Sequence, residues 1–142
     1  MKAERARLAR LTRLEKIRAI ARQTALAEAG RAEGTLAQLQ ALADRTARLA
    51  GDYAARDDAG DAAALRRQFA FIHGLDRIAT GTRADVAQAR GVADARAAEA
   101  AAAERRRGAV EDRMIEQARR IARKAAQTPV SGTRKALGTA LE

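Results

Sequence analysis

Two unbroken seven-residue repeats, separated by one glycine- and acid-rich break, leave this chain few folds to choose from. Alternate steps of three and four from Leu11 give Leu14, Arg18, Ala21, Ala25, Glu28, Ala32, Thr35, Leu39, Leu42, Thr46, Leu49 and Tyr53. The same count from Leu65 gives Gln68, Ile72, Leu75, Ala79, Thr82, Val86, Ala89, Ala93, Arg96, Ala100, Ala103, Arg107, Val110, Met114, Gln117 and Ile121. Most of these residues are small or apolar, with charged exceptions at Arg18, Glu28, Arg96 and Arg107. A strict seven-residue apolar period held over so many turns implies a left-handed supercoil, because a straight helix drifts off its partner by ~20° per heptad. The break, GDYAARDDAGD at 51 to 61, is the only turn signal in the first 127 residues. The pattern predicts an all-α fold: two long helices in an antiparallel coiled-coil hairpin over 1–127, turning near 57–61, with a loose tail over 128–142 that follows the single proline, Pro129.

Composition supports this fold and removes its rivals. Two Phe, one Tyr and no Trp cannot fill a thick core, and an excess of Ala, Arg, Leu and Glu favours helix over sheet. Alanine-rich seams let helices approach closely while burying little apolar area per rung. A short connection makes antiparallel neighbours. The expected cross-pairs are Leu49 with Phe69, Leu42 with Leu75 or Asp76, Ala32 with Val86, and Leu8 with Val110, their numbers adding to about 118. The first helix should span ~57 residues and ~85 Å, with the second overhanging it at the open end.

Several function classes drop out. No cysteine is present, so disulfides, thiolate metal sites and cysteine nucleophiles are excluded, and the lone His73 reads as a surface or packing residue. No phosphate-binding glycine loop, paired-carboxylate context or serine nucleophile motif occurs. The chain reads as a non-enzyme with no cofactor, no metal and no small-molecule substrate. Residues 1 to 22 interleave charge through their apolar positions, unlike a secretory signal, and no run of about 18 apolar residues suits a membrane span.

Charge is placed unevenly. Within a net charge of +10, residues 1 to 22 carry +6 and residues 105 to 124 carry +5, whereas residues 52 to 61 carry −3. Folding the chain in two sets both basic stretches at the open end, opposite an acidic tip. Beside that tip lies RRQFAFIHGLDRIATGT, residues 66 to 82. At 100° per residue, Phe71, Leu75 and Ile78 form an i, i+4, i+7 strip on one flank, the spacing by which a helix docks into a groove. The competing reading is that this flank merely widens the seam.

With those features in place, LARLTRLEKIRAIAR at the start, QLQALADRTARLAGDY leading into the break, FIHGLDRI after it and DRMIEQARRIARKA near the end give an order and spacing that resembles the FliJ family, the coiled-coil component of the bacterial flagellar type III export apparatus. The resemblance implies a cytoplasmic stalk at the inner face of the cell membrane, peripheral through its partners, that couples a hexameric export ATPase to the export gate. It carries Phe71, Leu75 and Ile78, with Thr82, over as gate-binding residues. The basic end would meet the ATPase, through Arg7, Arg10, Arg13, Arg119, Arg120 and Arg123 chosen on charge and position. Two other possibilities stay open: a basic coiled coil that binds nucleic acid by counterion release, though no aromatic stacking platform accompanies the arginines, and a homodimer in which helices of two chains pair and 52–61 is a hinge.

Overall fold

The computed structural model describes residues 1–128. Two helices, α1 (Lys2–Ala54) and α2 (Ala62–Gln127), pack against each other along their length, and no strand occurs among the described residues. The fold is the antiparallel hairpin that the repeats predict. At 1.5 Å per residue, the 53 residues of α1 make a rod of about 80 Å and the 66 of α2 one of about 100 Å. The tail expected beyond 128 lies outside the described residues.

The turn occupies Ala55 to Asp61 and starts slightly earlier than predicted. α1 stops where the Ala55 and Arg56 N–H groups close back onto the carbonyls of Gly51 and Tyr53, at 3.0 and 3.3 Å. α2 starts on a side-chain cap: Asp61 is extended, φ −154° and ψ 175°, and its Oδ1 accepts a 2.7 Å bond from the Ala64 N–H, satisfying one of the orphan donors of the first turn. Between the two ends, the connection runs back alongside the first turns of α2. The Gln68 amide fixes it there by donating to the carbonyls of Tyr53 and Arg56 at 2.7 and 2.9 Å.

That path resets the pairing. Contacts join Thr12 to Met114, Glu15 to Arg107, Glu28 to Arg96 and Tyr53 to Gln68, so facing residue numbers add to about 121–126 rather than 118. The expected pairs Leu49–Phe69, Leu42–Leu75, Ala32–Val86 and Leu8–Val110 are each out of level by roughly one turn or more. Much of the overhang of α2 therefore lies at the tip, where its first turns extend past the end of α1, and not at the open end.

On α2, every seam position counted from Gln68 to Ile121 is buried or half-buried; only Leu65, 43% exposed, falls outside. On α1, half the expected seam is displaced by one residue. Leu11, Arg18, Ala25, Ala32, Leu39, Thr46 and Tyr53 do face α2, but the alternate rungs are Glu15, Arg22, Ala29, Leu36, Ala43 and Ala50. Leu14, Ala21, Thr35, Leu42 and Leu49 lie outside as flanking residues. The seam runs in steps of four then three from Leu11, and the leucines that draw the eye to the other phase sit beside it.

The core is thin. Its buried apolar members are Leu36, Leu75, Ala79, Ala93, Ala100, Ala103 and Val110, joined by Thr46, Thr82 and Gln117. Alanine rungs bring the backbones close, and the polar rungs satisfy themselves: the Thr46 and Thr82 hydroxyls donate to the carbonyls of Leu42 and Ile78 one turn back. Most charged rungs find opposite charge across the seam, the exception being Arg18, whose enclosed Nε has no hydrogen-bond partner among the described residues. Arg107 reaches Glu15 at 3.3 Å and Arg96 reaches Glu28 at 3.2 Å, while Arg22 pairs with Glu104 and Lys124 with Glu4. The Arg107–Glu15 pair is the most enclosed, with side chains 28% and 18% exposed, and so gains more than a solvated surface pair.

Candidate partner-binding surfaces

Two surfaces stand out once the hairpin is closed, one at each end. At the tip, Phe71 stacks on Tyr53 with ring centroids 4.5 Å apart and planes tilted by 52°, and the Arg56 guanidinium sits 4.2 Å over the other aromatic centre. This column of Phe71, Tyr53 and Arg56 ties the turn to both helices. Phe71 keeps 45% of its surface exposed and Ile78, two turns on, keeps 55%.

The expected strip is only half available. Leu75 is 8% exposed and Thr82 6%, because both are seam rungs facing α1, so neither side chain presents a docking surface on this hairpin. An i, i+4, i+7 strip from Phe71 crosses from the flank into the seam and back out again. What accompanies Phe71 and Ile78 on the outside is instead supplied by α1: Leu42 and Leu49, 43% and 42% exposed. The sequence carried a signal for them, since they are the leucines adjacent to the true seam, but counting them into the seam concealed it. His73, Asp76, Arg77 and Thr80 line a shallow depression on the neighbouring face, and no group of three metal-ligating side chains occurs among the described residues.

At the open end, Arg7, Arg10, Arg13 and Arg119 are exposed, and none makes an ion pair among the described residues. Arg120 and Arg123 are exposed as well, but both approach Glu116, at 3.5 and 3.1 Å, which offsets part of their charge. Arg7 and Arg120 line one groove with Leu11, Asp112, Arg113, Glu116 and Gln117. From helix geometry, Arg10 and Arg123 border that same side, whereas Arg13 and Arg119 point from the backs of their helices. The six arginines form one basic girdle, with four of them on a single flank.

The two acids of the first 22 residues are turned inward. Glu15 engages Arg107, and Glu4 accepts from Lys124 while its other oxygen is enclosed. The hydrogen bond from Lys124 holds the Glu4 carboxyl below its usual range, against the opposing pull of desolvation. The outer surface of the first 22 residues is consequently left with cations alone: Lys2, Arg5, Arg7, Arg10, Arg13 and Lys16. No helix among the described residues is long and apolar enough to cross a membrane. No family model, curated protein or solved structure matches this chain.

Proposed function

We propose that this chain is a non-enzymatic stalk of a flagellar type III protein export apparatus, coupling a hexameric export ATPase to the membrane export gate. The observation that carries the proposal is the separation of two unlike surfaces by a narrow rod: an acidic tip with exposed Phe71 and Ile78 at one end, and at the other a basic girdle that Glu116 neutralises only in part. A rod meant to stand inside a ring needs little thickness, and an alanine seam supplies that. It also needs two chemically distinct ends, so that each partner takes only its own. Under this proposal the gate meets Phe71 and Ile78, with Leu42 and Leu49 in the place that Leu75 and Thr82 were expected to hold. The ATPase meets Arg7, Arg10, Arg120 and Arg123. The chain is then cytoplasmic and peripheral at the inner face of the membrane, held there by its partners.

Purified export ATPase and the cytoplasmic part of the gate test this directly. Arg7→Glu with Arg10→Glu should remove ATPase binding and spare the gate, and Ile78→Asp should do the reverse. If wild-type chain binds neither partner, the proposal is wrong. The cations of the first 22 residues favour one other reading, a nucleic-acid-binding coiled coil. Tight binding to duplex DNA that falls steeply with salt, together with no effect on the ATPase, would decide for that alternative.

A further inference from the structure

α1 carries more apolar residues than its seam uses. Leu14, Leu42 and Leu49 lie on the flank, 37%, 43% and 42% exposed, and each immediately precedes a seam rung: Glu15, Ala43 and Ala50. The cross-contacts of Glu28 with Arg96 and of Arg22 with Glu104 fix which rungs are level. By that register Glu15 is level with Val110, Ala29 with Arg96, Ala43 with Thr82 and Ala50 with Leu75. Turning α1 about its own axis by about 50°, half the angle between successive residues of a seven-residue repeat, replaces each of these α1 rungs by the residue before it. Leu14 then meets Val110, Glu28 meets Arg96, Leu42 meets Thr82 and Leu49 meets Leu75. No axial slip is needed, and the alternate rungs, from Leu11 to Tyr53, stay in the seam throughout. Glu28 already reaches Arg96, at 3.2 Å, while Glu15 and Arg22 move to the opposite flank, beside Arg107 and Glu104. The connection from Ala55 to Asp61, outside both helices, takes up the rotation.

Apolar burial does not hold α1 in the phase described. The turn covers Leu14, Leu42 and Leu49 further and brings Ile17, 62% exposed, from the outer face onto the flank, against lost cover for Leu26 and Leu36. Two local features hold it instead, one at each end. At the tip, the turn carries Tyr53 away from Phe71 and ends their 4.5 Å stack. At the open end, it swings Arg10 onto the flank level with Arg113, where Arg7, Arg113 and Arg120 already share one groove. Four guanidinium groups then crowd together around Asp112 and Glu116, and like charges at close range oppose the turn.

We propose that α1 turns between these two phases, and that the turn couples the two ends of the rod. A polyanionic surface seated on the girdle neutralises the four arginines and favours the turned phase, which withdraws Leu42 and Leu49 from the tip flank and frees Phe71 from Tyr53. A partner seated on Leu42 and Leu49 favours the phase described, keeps Arg10 apart from Arg113 and weakens the hold on the anion. The coupling is reciprocal, as binding linkage requires. In the function proposed above, the anion belongs to the ATPase and the tip partner is the gate; the turn itself does not rest on that reading.

The chain has no cysteine, so engineered thiols report cleanly. Ala43→Cys with Thr82→Cys should lock the phase described by a disulfide within one chain, and Leu42→Cys with Thr82→Cys should lock the turned phase. Both locks lie far from the girdle. Polyglutamate, used as the anion, should bind the second variant about fivefold more tightly than the first, and reduction should abolish the difference. In the unlocked chain, alkylation of Leu49→Cys should outpace that of Ala50→Cys, and saturating polyglutamate should slow the former and speed the latter. Circular dichroism should show the same helicity in all four variants. No intramolecular disulfide between residues 42 and 82, equal polyglutamate affinity of the two locked forms, or alkylation rates that polyglutamate leaves unchanged would each overturn the proposal. None of these readouts uses an export ATPase or gate, so a failure of the turn is distinct from a failure of the proposed function.

Discussion

Leu36 and Leu42 lie less than two turns apart on α1, yet truncating them should have very different costs. Leu36 is 9% exposed and is the one apolar residue of α1 in the buried class; Leu42 is 43% exposed. Fully burying a leucine is worth about 1.5–3 kcal/mol, and leucine-to-alanine changes in cores cost about 2–5 kcal/mol once the cavity is included. The seam here is open on both flanks, so neighbouring side chains can settle into the space left at residue 36. That favours the lower end, about 2–3 kcal/mol for Leu36→Ala. Leu42→Ala loses a side chain that is nearly half in water already and gains the better helix former, so it should cost under about 1 kcal/mol. Urea unfolding followed by circular dichroism reads both, with the midpoint shift taken at constant m. The protein should be dilute, about 1 µM, so that self-association does not add to the apparent stability. Equal losses for the two variants, or a larger one for Leu42→Ala, would mean that α1 is rotated onto the other phase of its repeat, and the assignment of Leu42 and Leu49 to the outer flank would fall with it.

Gln68→Ala should loosen the tip by about 1–2 kcal/mol, because its amide is the donor to both Tyr53 and Arg56 carbonyls; hydrogen exchange at residues 53 to 60 should rise while that of the open end is unchanged. Gly74→Ala and Gly81→Ala, each with open space for the new Cβ, should raise the unfolding free energy by up to about 1 kcal/mol apiece, and a loss of stability would show that something occupies that face. The depressed Glu4 carboxyl is stabilising when ionised. Its contribution is complete above the ordinary carboxylate range and disappears as pH falls through its lowered value. Acidification should therefore increase fraying of residues 1 to 10 and 118 to 127 by hydrogen exchange, and Glu4→Gln should remove that part of the pH dependence. Arg107→Ala should cost more than Arg120→Ala, by about 1 kcal/mol or more, since it leaves the enclosed Glu15 without its partner.

Most of the fold was legible in the sequence, and the failures have identifiable causes. α2 could be read almost rung by rung because its repeat is dominated by Ala, Val, Ile and Leu at positions that no competing phase also satisfies. α1 offers two phases: one collects Leu14, Leu42 and Leu49, and the other collects Glu15, Arg22, Ala29 and Ala43. Hydrophobicity prefers the first. The structure takes the second because an alanine-lined partner accepts small rungs closely and because Arg107 and Glu104 supply the opposite charges that Glu15 and Arg22 need. Neither reason is visible from one helix alone. The five-residue error in pairing came from the turn, whose length was clear but whose path back along α2, fixed by Gln68, was not. At the tip, Phe71 and Ile78 were correctly placed on a flank. Leu75 and Thr82 are rungs of the α2 repeat itself, so a strip stepped from Phe71 passes through the seam before it returns to the flank.

The cross-seam ion pairs have a mechanical consequence. A stack of alanine rungs is nearly the same after a shift of one heptad, so alanine alone would let one helix slide along the other with little resistance. Arg107 and Glu15, with Arg96 and Glu28, index the stack: a seven-residue slip brings Arg107 level with Leu8 in one direction and with Arg22, a like charge, in the other, and strands Glu15 partly enclosed without a counterion. A push applied at one end is thereby transmitted along the whole length as displacement instead of being dissipated in shear between the two helices.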